Sequence, residues 1–375
     1  MSEPFEIIVQ PFQDDPVPTT PPLQGLTLSE LADLFESRGV SRHQARMAFQ
    51  ALHRSAAGAR FEEAPLMSAA GRKFLKSLPP LPTLAVDAVH KAEDGTIKLR
   101  LITQTGMSTP LALEAVIIPA KGRVTLCVSS QVGCAAACGF CHTGTMGLLR
   151  NLETWEIVEQ VRVARAYAPR PISNLVFMGM GEPLHNEERV IRACRILNDD
   201  VGAAFSRRHL VVSTAGVGNR IRPLWEEGVA SLAVSLHATT DAVRDEIVPM
   251  NRQWNLASLK KVLMEIPWRN RETVTIAYLL LAGVNDTRED AERLAEWSRG
   301  LPAKINLLEF NPFPGSAFKR SSPEQLAAFR QWLHDFGVFN TLRHSRGDDV
   351  MAACGQLATD GKRQAVGRKQ KATTD

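Results

Sequence analysis

From about residue 122 the chain keeps one rhythm: a short run apolar on both faces, then a stretch of helical periodicity. Candidate strands are RVTLCVSS, SNLVFMGM, RHLVVSTAG, ASLAVSLHA, TVTIAYLLL, AKINLLEF and VFNTLRH, with helical patterns such as ETWEIVEQVRVARAY, ERVIRACRILN, LASLKKVLMEI, REDAERLAEWSRG and PEQLAAFRQWLHDF between them. A strand without a polar face must be covered on both sides, so these runs predict a parallel sheet joined by right-handed helical crossovers. Six or so units over ~220 residues suit a curved, incomplete barrel better than a flat sheet. The expected class is therefore α/β, a partial (β/α)6 barrel, whose ligands gather at the carboxyl ends of the strands.

That rule sorts the motifs. A cysteine-rich loop follows the first strand, and GMGEP (Gly179 to Pro183) follows the second. STAG (Ser213 to Gly216) ends the third, SLHA (Ser235 to Ala238) the fourth, and FNPFPG (Phe310 to Gly315) the sixth. The polar and glycine-rich sequences all fall on one rim, which weighs more than any single motif.

Four of the six cysteines lie between Cys127 and Cys141. Cys134, Cys138 and Cys141 have the spacing C-x3-C-x2-C, which suits an iron–sulfur cube with one iron left without a protein ligand. A structural zinc site is the alternative, but His142 lies too close to Cys141 for comfortable tetrahedral closure. The spacing, on the loop after the first barrel strand, resembles the radical S-adenosylmethionine (SAM) superfamily. That likeness implies a 4Fe-4S cluster whose open iron chelates SAM. Within it, Gly179 and Gly181 let backbone approach a ligand and Glu182 accepts from the SAM ammonium. Ser213, Ser235, Leu236, His237 and Asn311 are placed for its ribose, carboxylate and adenine; each taken singly is as readily a cap or turn residue.

Cys194, in VIRACRILN on an amphipathic helix, reads as an ordinary buried cysteine. Cys127 lies near the end of the first strand, and Cys354 in RGDDVMAACGQL beyond the last. TLCVSSQVGC, FMGMGEPL, VSTAGV, SLHA, FNPFPGS and RGDDVMAACGQL together resemble the RlmN/Cfr family of radical SAM RNA methyltransferases, RlmN more than Cfr, from about Leu23 to Ala358. The resemblance implies that Cys354 carries a methyl group taken from one SAM, that a second SAM activates it, and that Cys127 resolves the resulting protein–RNA cross-link through a transient disulfide. It also implies that Glu114, thirteen residues before Cys127, is the general base; the residue itself reads as a solvated strand glutamate. The implied target is carbon 2 of an adenosine in 23S rRNA, and in tRNA as a second substrate, with carbon 8 as the Cfr-like alternative. A radical SAM enzyme without methyl-cysteine chemistry is the other alternative. His142 and Met146 stand where the family more often has a small residue and glutamine, and IVPMN replaces the commoner IMPIN.

The remaining chain sets the context. Residues 1–24 form a Pro-rich arm, 25–80 a helical accessory domain, 81–120 a small β extension, 121–358 the barrel core and 359–375 a basic tail. Thr27 with Glu30 predicts a capping box, and Gly39 a helix stop. The net charge of +4 permits a nucleic-acid partner without requiring one. RNA contacts are expected from the tail, with Lys362, Arg363, Arg368, Lys369 and Lys371, and from Arg38, Arg42, His43, Arg46, His53 and Arg54 of the helical domain. No apolar run reaches membrane-spanning length, and clustered thiols without an export signal suit the reducing cytoplasm. A monomer served by an electron donor such as a flavodoxin completes the expectation.

Overall fold

The computed structural model describes residues 21–103 and 110–359. The Pro-rich arm up to residue 20 and all five basic residues of the tail lie outside the described residues.

An antiparallel meander, β1 (Ala85–Lys91), β2 (Ile97–Thr103) and β3 (Leu111–Ala120), opens the sheet and pairs antiparallel with β4 (Arg123–Cys127). A two-stranded ribbon of β5 (Gln131–Gly133) and β6 (Leu148–Asn151) stands apart and brackets the cysteine loop. From β4 onward every pairing is parallel, through β7 (Asn174–Phe177), β8 (Leu210–Thr214), β9 (Ser231–Ser235), β10 (Val274–Leu280), β11 (Ala303–Glu309) and β12 (Asn340–Arg343). These strands and the meander form one ten-stranded sheet, with β1 and β12 at its two ends. The β extension is thus the sheet's own continuation. The central strands are buried almost throughout, as their two apolar faces require.

Helices α1 (Leu28–Glu36), α2 (Arg42–Arg54) and α3 (Ala69–Ser77) form the N-terminal unit. Thr27 and Glu30 make the capping box reciprocally, and Gly39 takes φ +71° after the helix. A single turn, α4 (His142–Thr145), lies in the cysteine loop. The crossovers are α5 (Thr154–Arg165), α6 (Glu187–Asn198), α7 (Gly218–Glu227), α8 (Asp241–Ile247), α9 (Leu256–Met264), α10 (Arg288–Ser298) and α11 (Pro323–Asp335). Sequence periodicity misses α7, which carries Pro223 in its interior, and α8, whose seven residues are too few to repeat a pattern.

The N-terminal unit covers α5, so polar residues of α5 become internal and must be paired. Arg162 Nη1 lies 2.6 Å from Glu159 and its Nε donates to Leu52 C=O at 3.1 Å. Arg165 donates to the carbonyls of His53 and Ser55, and Arg192 pairs with Glu30 at 2.6 Å. Of the basic cluster expected to meet RNA, His53 is buried and drops out. Arg38, Arg42, His43, Arg46 and Arg54 are exposed, Arg42 pairing with Asp33 and Glu36 and Arg54 donating to the carbonyls of Gly202 and Asp200.

His53 stacks obliquely near Phe49, with neither ring nitrogen hydrogen-bonded, and its pKa falls from 6.5 to about 3 through burial and then the charges of Arg162 and Arg165. A depressed histidine binds its proton only on unfolding. The stability it contributes is complete above about pH 6.5 and drains as pH falls toward about 3, by up to ~1.4 kcal/mol per pH unit. Denaturant unfolding of His53→Leu between pH 7 and 4 is expected to show a shallower acid slope than the unaltered protein; equal slopes would refute the assignment.

Candidate active site at the carboxyl rim of the sheet

The cysteine loop is shaped by contacts only glycine allows. Gly133 has φ +76°, and a Cβ there would fall 1.9 Å from Gly147 O. Cys134 N–H donates to that same carbonyl at 2.8 Å, closing the ribbon below the loop. A Cβ on Gly144 would meet Cys138 O at 2.8 Å, so the turn of α4 packs directly on the second cysteine. Gly139 N–H donates to Ile247 C=O at the end of α8, and the Phe140 ring meets the His237 ring edge-on at 4.8 Å.

Cys134 is buried and Cys138 and Cys141 are half-buried. Burial, and then the neighbouring thiols, push the Cys138 pKa well above its ordinary value; burial likewise pushes Cys134 up to about 12. Thiols that face one another from a poorly solvated loop resist ionising alone, and a cationic iron core relieves that cost directly. Among the described residues no three His, Cys, Asp or Glu close to the spacing of a single metal ion. Thiolates of a cube bind separate irons and need no such closure. The donor set fits a cluster.

The glycines of the GMGEP turn make close contacts within the protein itself. A Cβ on Gly179 would sit 2.7 Å from Val128 O, and one on Gly181 (φ +101°) 2.6 Å from the Gln131 side chain. The glycines admit the protein's own β4–β5 segment. Glu182 N–H donates to Gln131 Oε1 at 2.8 Å, while its carboxylate accepts from Leu184 N–H at 3.0 Å and Ala215 N–H at 2.7 Å. Glu182 is therefore fixed between two rim loops, with its charge facing Cys134 and Cys138. Burial raises its pKa, partly offset by the two backbone donors.

Ser213 and Ser235 face each other across β8 and β9, their Oγ atoms 3.4 Å apart. The Leu236 side chain is in the core, so what it offers the rim is backbone. His237 has φ +60°, and its Nδ1 accepts from Leu279 N–H at 3.0 Å. Burial, then Arg244, lower its pKa to about 3, so the ring is neutral with its proton on Nε2. Asn311 is buried; its Nδ2 donates to Cys354 C=O at 3.1 Å and its Oδ1 accepts from Arg320 at 2.9 Å and from Ser345 Oγ.

Cys354 and Cys127 are brought together from the last loop and the first parallel strand. Cys127 lies between Val116 of β3 and Val176 of β7. Burial, and then the facing Cys354 thiol, push it up to about 12, while Arg343 and the Met178 N–H pull the other way. The Cys354 loop is fastened to the cysteine loop by His142 N–H to Gly355 C=O at 2.7 Å and by Thr143 Oγ1 to Leu357 C=O. It is fastened to β3 by Glu114, whose carboxylate accepts from Ala358 N–H at 3.1 Å and pairs with Lys98 at 3.2 Å. Glu114 is buried, not solvated as the strand alone suggested; burial raises its pKa against the pull of Lys98. Cys194 is fully buried in α6 and plays no part here.

Sequence reasoning missed Lys98, Gln131 and Arg244. Lys98 stands diagonal to Glu114 across the β2–β3 register, so the hairpin pairing was the signal that could have found it. Arg244 sits on the unrecognised α8.

Among the described residues no helix is long and apolar enough to cross a membrane. The model of the radical SAM superfamily matches residues 128–297. A dual-specificity RNA methyltransferase RlmN of Anaeromyxobacter dehalogenans is 44% identical over 350 residues, covering 91% of this chain and 93% of that protein. The RlmN 2 of Myxococcus xanthus is 41% identical over 365 residues, covering 94% and 95%. A crystal structure of a radical SAM methyltransferase from Sphaerobacter thermophilus superposes with a TM-score of 0.81 at 38% identity, covering 90% of this chain and 99% of that one. With that likeness running through the N-terminal unit and the whole sheet, the chain belongs to the RlmN family of radical SAM RNA methyltransferases.

Proposed function

We propose that this chain methylates carbon 2 of an adenosine in RNA, 23S rRNA and also tRNA, with Cys354 as the methyl carrier. The observation that supports this most is the pairing of two thiols outside the cluster trio, Cys127 and Cys354, beside the loop that would hold the cluster. The similar proteins named as dual-specificity RNA methyltransferases supply the substrate class. Cys134, Cys138 and Cys141 are assigned to the 4Fe-4S cluster. Gly181, Glu182, Ser213, Ser235, Leu236, His237 and Asn311 are assigned to the SAM side of the rim. When bound, the cluster and SAM supply the methyl group and the one-electron cleavage that activates it. A small electron donor such as a flavodoxin, a monomeric enzyme and the reducing cytoplasm complete the proposal; thiols that are to ligate iron and carry a methyl group suit such a compartment.

The residues divide the work by environment. Cys354 is the one exposed thiol of the six, so it can meet both a SAM methyl and a nucleotide. Its sulfur forms a bond to the methyl carbon as the sulfonium–methyl bond breaks. With one hydrogen atom removed from it, that carbon bonds to the adenine ring and the RNA is held on Cys354; the unpaired electron left on the ring would return to the cluster as the ring proton leaves. Glu114 then takes the ring proton; burial strengthens it as a base while Lys98 keeps it charged. Cys127 attacks the Cys354 sulfur, forming an S–S bond as the sulfur–carbon bond breaks, and the released carbon becomes the methyl group after gaining a proton. Burial holds Cys127 protonated beforehand, which keeps it from competing for the methyl of SAM.

Mass spectrometry of the Cys354 peptide, from protein made with iron and SAM present, is expected to show one methyl on sulfur, separated from Met351 by fragmentation. An unmodified Cys354 in protein holding its cluster would overturn the proposal. Cys127→Ala is expected to accumulate a covalent protein–RNA adduct on denaturing gels, and Cys354→Ala none. Removing the Lys98 cation raises the Glu114 pKa further, so Lys98→Met is expected to move the acid limb of the kcat/KM–pH profile to higher pH. An unmoved limb would exclude Glu114 as the titrating base.

A further inference from the structure

Arg244 has no part in the chemistry above, and its surroundings are unusual for a cation. Its side chain is fully buried. Nε donates to Leu236 C=O at 2.9 Å, and Nη2 to Ala215 C=O at 2.7 Å and Ser235 C=O at 3.2 Å. Nη1 donates to Asn251 Oδ1 at 3.0 Å and Trp254 C=O at 3.4 Å. Every acceptor is a neutral amide oxygen. Asp241 and Asp245 are joined to this group only through Asn251, whose Nδ2 donates to both carboxylates, at 3.0 Å and 2.7 Å.

A guanidinium sealed in the interior without a contacting anion is costly, and removing it from water is repaid only when negative charge comes close. The structure points to where that charge arrives. The carboxyl end of α8 is bonded to the cysteine loop, Ile247 C=O receiving Gly139 N–H at 3.1 Å, one residue past Cys138. A Cβ on Gly139 would also lie 3.8 Å from Glu246 O, so the two backbones touch. On the other side a Cβ on Gly216 would meet Arg244 Nη2 at 3.2 Å, and glycine there leaves the fork its room. Arg244 thus lies beneath the rim between the cysteine loop and the turns after β8 and β9.

We propose that Arg244 is the buried counter-charge of the cluster held by Cys134, Cys138 and Cys141, raising its affinity for an electron, and that its fork positions the β8 and β9 turns that receive SAM. This rests on the cluster assignment proposed above. Three thiolates make the site anionic, and each electron added deepens that charge; a fixed cation in a poorly polarisable interior stabilises the reduced form more than the oxidised one. The carbonyl contacts explain why arginine is used: its planar fork spans three loop carbonyls where a lysine ammonium is a point.

The test is an EPR-monitored redox titration of the cluster-loaded full chain with dithionite, one electron entering each cluster. Arg244→Gln keeps an amide donor but removes the charge. At a fixed potential its ratio of reduced to oxidised cluster is expected to fall at least tenfold, a shift of about 59 mV to more negative potential. Arg244→Lys keeps the charge and loses the fork, so its midpoint is expected to stay close to the unaltered value while SAM binds more weakly by equilibrium dialysis. A midpoint unchanged in Arg244→Gln would overturn the proposal and leave the residue a rim brace. Should that variant fail to hold its cluster, Asp245→Asn serves instead. It removes an anion behind Arg244, and an upward shift in midpoint supports the proposal where an unmoved one overturns it. Iron content and the cluster spectrum of the unaltered protein test the cluster assignment separately.

Discussion

The hydrogen bond from His142 N–H to Gly355 C=O joins the two ends of the catalytic architecture. One residue before it stands the third cysteine of the trio, and one residue before its acceptor stands Cys354. Strand order alone does not bring the last loop here, because β12 lies at the opposite edge of the sheet from β1. The loop is returned across the rim and fastened to the cysteine loop, to β2 by Lys98 Nζ to Met351 C=O at 3.1 Å, to β3 through Glu114, to Asn311 after β11, and by Gln356 Nε2 to Pro312 C=O at 2.9 Å. Each such bond contributes only about 1 kcal/mol net. Together they hold Cys354, the proposed methyl carrier, on the side of the rim where Cys127 and the cysteine loop lie.

The barrel was largely legible in the sequence because a buried parallel strand leaves a direct mark, an apolar run with no polar face. Each of the seven such runs became a strand, and the motifs fell at their carboxyl ends as the topology requires. What escaped notice has physical causes. Pro223 disguised α7, and α8 is shorter than two helical turns. The glycines of GMGEP show in the sequence that something approaches closely, not what; within the protein it is Val128 and Gln131. The basic residues of α2 looked like one surface, yet His53 is internal, Arg42 pairs with Asp33 and Glu36, and Arg54 bonds to the turn after α6. Glu114 was visible only through the family likeness, since its burial comes from the Cys354 loop closing over β3 from residues far along the chain.

Polar burial at this site is arranged to be tolerable rather than stabilising. Glu182, His237, Asn311 and Glu114 are all buried, and each has a polar atom bonded to the backbone of another element. Such groups cost stability when unpaired and return little when paired, so their use lies in fixing geometry. His237 illustrates the economy: its Nδ1 receives the Leu279 amide while its ring edge supports Phe140 inside the cysteine motif. One side chain thus ties the end of β10 to the cysteine loop.

The six cysteines share one chemistry and differ in burial and in what lies beside them. Cys194 is sealed in a helix and inert; Cys127 is sealed in a strand but faces another thiol. Cys354 is exposed, on a loop where Gly347 and Gly355 take the positive φ that glycine allows and Met351 takes one that its side chain disfavours. That contrast imposes an order on the chemistry. An exposed thiol can be alkylated while its buried partner cannot, and the buried partner becomes useful only once the exposed sulfur carries a group to be displaced. A disulfide formed too early would remove both functions at once, and the high pKa of Cys127 opposes that outcome for as long as Cys354 is unmodified.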